Sequence, residues 1–175
     1  MTATADATRA SASSFADLGV PARIADVLDH QGLTFPFPIQ TATLPDSLAG
    51  RDVLGRGRTG SGKTLAFALP IVARLGADGR RTRPNRPRAL VLVPTRELAT
   101  QVHDVVAPLA APSRLTVTTI FGGVRQNAQV RALDAGTDIV VACPGRLDDL
   151  MRQGHVDLRD VEITVLDEAD HMADL

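Results

Sequence analysis

Residues Gly57 to Thr64 read GRTGSGKT, a glycine-rich run closed by a lysine and a hydroxyl side chain, which satisfies G-x-x-x-x-G-K-[ST] in full. That composition suits one task, holding a chain of phosphates. Gly57, Gly60 and Gly62 are expected to adopt φ > 0 and turn backbone N–H groups inward around phosphate oxygens, with Thr59 and Ser61 completing the cradle. A helix beginning near Lys63 aims its positive dipole end at the same anion. Lys63 then reaches the β- and γ-phosphates, and the Thr64 hydroxyl ligates Mg²⁺. Of nineteen basic residues, Lys63 is the single lysine and the other eighteen are arginine.

A second group of chemical residues lies near the carboxyl end. Ile163 to Glu168 reads as an apolar strand ending in two acids. A carboxylate at such a strand end holds Mg²⁺, the role assigned to Asp167. Glu168 is then placed to orient the attacking water and take its proton. Together with the glycine loop, this pair points to nucleoside triphosphate hydrolysis.

Both groups need a scaffold that brings strand ends and helix starts together. Five short apolar runs fit strands buried on both faces: Asp52 to Leu54, Ala89 to Val93, Leu115 to Ile120, Asp138 to Ala142 and Glu162 to Leu166. Helical patterns separate them at Lys63 to Leu75, Arg96 to Leu109, Val124 to Ala135 and Arg146 to Arg152, and two more precede them at Ala22 to His30 and Ile39 to Leu48. This alternation predicts an α/β fold, a parallel sheet with helices on its faces, whose ligands bind outside the carboxyl ends of the strands. Residues 1–14, rich in Ala, Thr and Ser, read as a disordered leader to a domain beginning at Phe15. Gly79 to Arg88, with five arginines and two prolines, reads as an exposed, solvated loop.

Composition narrows the remaining classes. The 175 residues suffice for one domain with a real core, and the net charge of −1 argues against indiscriminate binding of polyanions. One cysteine, Cys143, permits no internal disulfide and fits a reducing, cytoplasmic setting. No membrane partner is expected, because no apolar stretch approaches the ~20 residues of a spanning helix. His30, His103, His155 and His171 have no metal-ligand spacing with the lone thiol. Arg125 and Arg131 read as surface residues, and Cys143 as a small buried thiol.

VLDEAD, at Val165 to Asp170, resembles the signature of the DEAD-box ATP-dependent RNA helicases, with a likeness to the bacterial RhlE type. GLTFPFPIQ, Gly32 to Gln40, is similar to that family's Q motif, with Phe15 at the place of its upstream aromatic. The resemblance implies that Gln40 reads the adenine edge and favours ATP over GTP. PTRELA, Pro94 to Ala99, resembles an RNA-contacting motif, implying RNA contacts at Pro94, Thr95 and Arg96. The doublet Gly122–Gly123 and the run Pro144–Gly145–Arg146 imply further ones. Asp170 would couple the site to a partner domain. The fold so implied is a RecA-like P-loop NTPase three-layer sandwich, here C-terminally incomplete over residues 15–175. In the family, a Ser-Ala-Thr motif and a second RecA-like domain with arginine fingers follow.

Three positions depart from the family pattern. Leu33 stands where an aromatic is usual, Gly57 and Arg58 replace alanine and glutamine, and Cys143 replaces the threonine before Pro-Gly-Arg. The resemblance implies RNA-stimulated ATP hydrolysis and local duplex unwinding by the intact protein. The alternative is a non-catalytic, ATP-dependent RNA-binding fragment. A P-loop kinase of small molecules would account for the cradle but not for Gln40, PTRELA or PGR. Without the partner domain, this polypeptide is expected to bind ATP weakly, to turn it over scarcely, and to be unstable or aggregate.

Overall fold

The computed structural model describes residues 13–58 and 60–173. The chain divides into two compact units, Met1–Pro70 and Ile71–Leu175, with the division falling at Pro70 inside a helix.

The first unit is helical. Helix α1, Ala22–His30, buries Ile24 and Leu28, one turn apart on one face. It ends in a Schellman motif: Gly32, at φ +75°, donates to the Asp29 carbonyl, and Leu33 donates to that of Leu28. Helix α2, Pro38–Leu48, opens on a proline, whose missing N–H costs nothing in the first turn. Helix α3, Lys63–Leu75, follows the glycine loop. Phe15, Val20, Ile24, Leu28, Leu44, Leu65, Ala68 and Leu69 are all buried. The expected leader falls mostly on residues 1–12, outside the described residues. Ser14 and Asp17 exchange side-chain and backbone hydrogen bonds at 2.8 and 3.1 Å.

One expected element of this unit is not formed. Residues 51–58 take no regular structure and pair with no strand, so the strand expected over Asp52 to Leu54 is absent. Val53 and Leu54 are exposed, Leu54 to 86%. Three apolar residues without an adjoining strand have no ladder to satisfy their backbone groups, and β-propensity cannot substitute for that.

The second unit is built on a sheet of four parallel strands: β1 Ala89–Leu92, β2 Val117–Ile120, β3 Ile139–Ala142 and β4 Ile163–Leu166, in the order β2-β3-β1-β4. Helices α4 (Arg96–Ala110), α5 (Asn127–Asp134) and α6 (Pro144–Arg152) make the crossovers, and the short α7 (Ala169–Ala173) follows β4. Side chains alternate between two faces. Leu90, Val140 and Ala142 join Leu133, Leu147, Leu150 and Val156 in one apolar cluster. On the other face lie Val91, Ile139 and Val141, and α4 packs on the sheet with Val102, Val106 and Leu109 buried. Helix α5 begins later than the pattern suggested, because the chain is still turning through Gly123 at φ +78°.

The arginine-rich segment corrects another expectation. It is an ion-paired strap across the amino ends of the strands, not a solvated loop. Arg88 is buried; its guanidinium binds Asp78 and Glu162, each at 2.7 Å, and donates to the carbonyls of Leu75 and Arg80. Arg83 grips Asp160 with two nitrogens, Arg86 pairs with Asp157 and Asp160, and Arg80 pairs with Glu162. Beside them the buried Asp138 accepts from the Thr116 N–H at 2.8 Å and from the hydroxyl of Thr82. Burying charge is costly unless every group is paired, and this strap pairs them.

Candidate nucleotide and nucleic-acid sites

In the first unit, the glycine loop leads directly into α3, so Lys63 and Thr64 are the first two residues of that helix. Gly60 and Gly62 have φ of +80° and +85°, the left-handed conformation that lets successive amides face one concavity. A side chain at Gly60 would meet nothing within 4 Å, so the loop is open to a ligand there. Gly57 differs from the sequence expectation. Its φ lies outside the left-handed region, and its glycine answers to space, since a Cβ there would stand 2.5 Å from Ser61 Oγ. Lys63 turns back on the loop, and its ammonium donates to the Gly57 carbonyl at 2.7 Å. Thr59 lies outside the described residues.

Gln40 ties the Q-like segment to this loop. It is fully buried; its Oε1 accepts from the Phe37 N–H at 2.9 Å and its Nε2 donates to the Gly62 carbonyl at 3.0 Å. An amide offers two donors and two lone pairs, so one of each stays unassigned. Phe15 is 3% exposed, whereas Phe35 and Phe37 are 54% and 46% exposed. Phe37 also covers Gly62, with its ring 3.0 Å from where a Cβ would sit. These two aromatics were not singled out from the sequence. Their signal was present in the same run as Gln40, where prolines follow both rings and fix extended backbone.

In the second unit, parallel register brings four loops to one edge. Leu92, Ile120, Ala142 and Leu166 are level across the sheet. The chain therefore leaves the sheet together at Val93, Phe121, Cys143 and Asp167. Thr95 caps α4, its hydroxyl accepting from the Leu98 N–H at 3.2 Å. Arg96 Nη1 lies 3.6 Å from the Cβ position of Gly123, and Arg146 Nη1 donates to the Val124 carbonyl at 3.2 Å. Those two contacts gather PTRELA, the glycine doublet and PGR into one surface. Pro94 is half-buried, while Gly122, Gly123, Pro144 and Gly145 are exposed.

Asp167 is buried at the end of β4, where its N–H continues the ladder to the Leu92 carbonyl at 3.0 Å. Its Oδ1 accepts from the Glu168 N–H at 3.1 Å. Glu168 has φ +51°, a left-handed backbone that a non-glycine residue adopts at some cost, and it is exposed. Such strain is common where a side chain must be presented for chemistry. Asp170 is exposed in the first turn of α7. Among the described residues, no three His, Cys, Asp or Glu side chains form a metal cage. A magnesium ion held by Thr64 and Asp167 would draw its remaining ligands from phosphate and water, as this ion commonly does. Burial pushes the Cys143 thiol up, and the negative charge of Glu97 adds to the effect.

Residues 37–175 match the family described as DEAD/DEAH box helicase. The chain belongs to that family. It is 44% identical over 165 residues to the ATP-dependent RNA helicase RhlB of Sodalis glossinidius, covering 92% of this chain and 39% of that protein. It is 47% identical over 162 residues to the chloroplastic DEAD-box ATP-dependent RNA helicase 3A of Zea mays, covering 91% and 22%. The helicase Prp28 of Chaetomium thermophilum, solved bound to ADP, superposes with a TM-score of 0.83 at 38% identity, over 90% of this chain and 39% of that one. This DEAD/DEAH box chain thus spans well under half the length of these relatives. Its parallel sheet with flanking helices is the RecA-like fold of the DEAD-box structures, and the RhlE likeness gains no support from a bacterial relative that is an RhlB.

Proposed function

We propose that the chain binds ATP with its magnesium through the loop at 57–64, and that in the intact protein hydrolysis of this ATP drives local separation of RNA duplexes. The observation that carries this reading is the loop itself. Two left-handed glycines turn amides toward an open concavity at the start of a thirteen-residue helix, beside the chain's one lysine. A helix start of this form binds phosphate through N–H groups and dipole together.

Lys63 binds the outer phosphates, and Thr64 and Asp167 hold the metal. Magnesium, when bound, neutralises charge that builds on the phosphoryl oxygens. Glu168 orients water and accepts its proton. Gln40 selects adenine with its remaining donor and lone pair, and the flanking aromatics Phe15, Phe35 and Phe37 offer apolar surface for the base. The joined surface of Thr95, Arg96, Gly122, Gly123, Pro144, Gly145 and Arg146 contacts RNA phosphates without reading bases, which suits an enzyme acting on many sequences. Asp170 couples the site to a second RecA-like domain, and the protein works in the cytoplasm.

The test is equilibrium binding of ATP and of a mixed-sequence single-stranded RNA to the whole chain. Lys63→Ala is expected to weaken ATP binding roughly ten- to hundredfold, the usual loss for charged hydrogen bonds, while leaving RNA binding intact. ATP binding indifferent to this change would refute the reading.

A further inference from the structure

Gly57 is the position where the loop's packing and its sequence disagree with a purely conformational reading of the glycines. Its backbone is ordinary, so any L-residue could adopt it. Space is what excludes a side chain. A Cβ would lie 2.5 Å from Ser61 Oγ and 3.4 Å from both Ser61 Cβ and Ile39 Cδ1. The hydroxyl that occupies this volume is itself buried and has no hydrogen-bond partner. Directly beside it, Lys63 Nζ is bonded to the Gly57 carbonyl at 2.7 Å. A cation destined for phosphate is thus spent on the loop's own backbone.

We propose that Gly57 is a closure residue. By lacking a side chain it admits Ser61 and lets Lys63 latch across the loop, so that the nucleotide-free cradle rests shut. This deepens the function proposed above and rests on it for the identity of the ligand. A ligand that binds only the open loop sees its affinity reduced by the fraction of time the loop is open. The orphaned Ser61 hydroxyl sets a limit on how firmly the loop shuts, because a buried unsatisfied hydroxyl costs free energy. The closed state is therefore a reversible latch.

A methyl group at position 57 must displace Ser61 Oγ and with it the closed packing. Gly57→Ala is therefore expected to bind ATP more tightly than the parent chain, by roughly three- to tenfold, the gain coming from a larger open fraction. Position 57 is exposed, so alanine there leaves the folded core untouched. The cycle that isolates the cause adds Ser61→Ala, which removes the atom 2.5 Å away and leaves a 3.4 Å contact. In that background Gly57→Ala should no longer change ATP affinity.

Hydrogen exchange of the amides at 57–62, measured without nucleotide, reads closure independently of binding. It should quicken in Gly57→Ala and not further in the double variant. Unchanged or weaker ATP binding by Gly57→Ala, or a gain that persists without the Ser61 hydroxyl, overturns the latch. If the exchange pattern appears but no variant binds ATP, the latch stands and the nucleotide reading falls.

Discussion

The buried amide of Gln40 donates to the carbonyl of Gly62 at 3.0 Å, joining the segment before α2 to the turn that precedes Lys63. One side chain thus holds both the helix start at Phe37 and the phosphate loop. Gln40→Ala is expected to lose both bonds and leave a buried N–H and carbonyl short of partners, a cost of about 1–3 kcal/mol. Thermal unfolding followed by circular dichroism checks the loss of stability, and ATP titration checks that the loosened loop binds more weakly. Gln40→Glu should not rescue either, because a carboxylate cannot donate to Gly62.

Arg88 is the hub of the strap at the amino ends of the strands. Its partners Asp78 and Glu162 are 45% and 38% exposed and can rehydrate, whereas the carbonyls of Leu75 and Arg80 lose a donor. Arg88→Ala should therefore destabilise the chain by about 1–3 kcal/mol, read as a shift in the urea midpoint. Arg88→Lys should recover little, since one ammonium cannot span four acceptors fixed by a planar fork.

The same strap makes stability depend on acid. The Arg159 guanidinium, helped by its own backbone N–H, holds the Asp157 carboxyl far below the usual carboxylate range, and Asp78 is lowered by the Arg80 N–H and by Arg88. A carboxylate with a depressed folded pKa adds stability above its unfolded pKa and loses it as pH falls toward the folded value. Unfolding midpoints should therefore be steady from pH 7 to about 5 and fall below about 4. Asp157→Asn should sit below the parent at neutral pH, with the gap closing as the pH falls through that lower window.

Cys143 stands where the chain leaves β3, and burial beside the acidic Glu97 raises its pKa. Little thiolate exists at pH 7, so a disulfide reagent should modify it more slowly than a free cysteine. Reaction as fast as in an unfolded control would contradict the assigned burial.

Much of this was legible because it depends on local pattern. The bounds of α1 and α3 follow from apolar spacing and from glycines at either side, and the four observed strands are apolar runs flanked by chain-turning residues. Residues 52–54 misled because a strand is a property of a pair, and pairing cannot be read from one segment. The arginine run misled for a related reason. Its partners Asp157, Asp160 and Glu162 lie some seventy residues away along the chain, so charge density read as solvation where it meant a network. Gly57 misled through its company, since neighbouring glycines do use left-handed backbone and it does not.

The central claim is most directly tested by titrating ATP into the whole chain with and without magnesium, for the parent, Lys63→Ala and Asp167→Asn. The account predicts that magnesium tightens binding to the parent, that Lys63→Ala weakens binding in both conditions, and that Asp167→Asn removes most of the magnesium effect. ATP binding of equal strength in all three chains, indifferent to the metal, would contradict it.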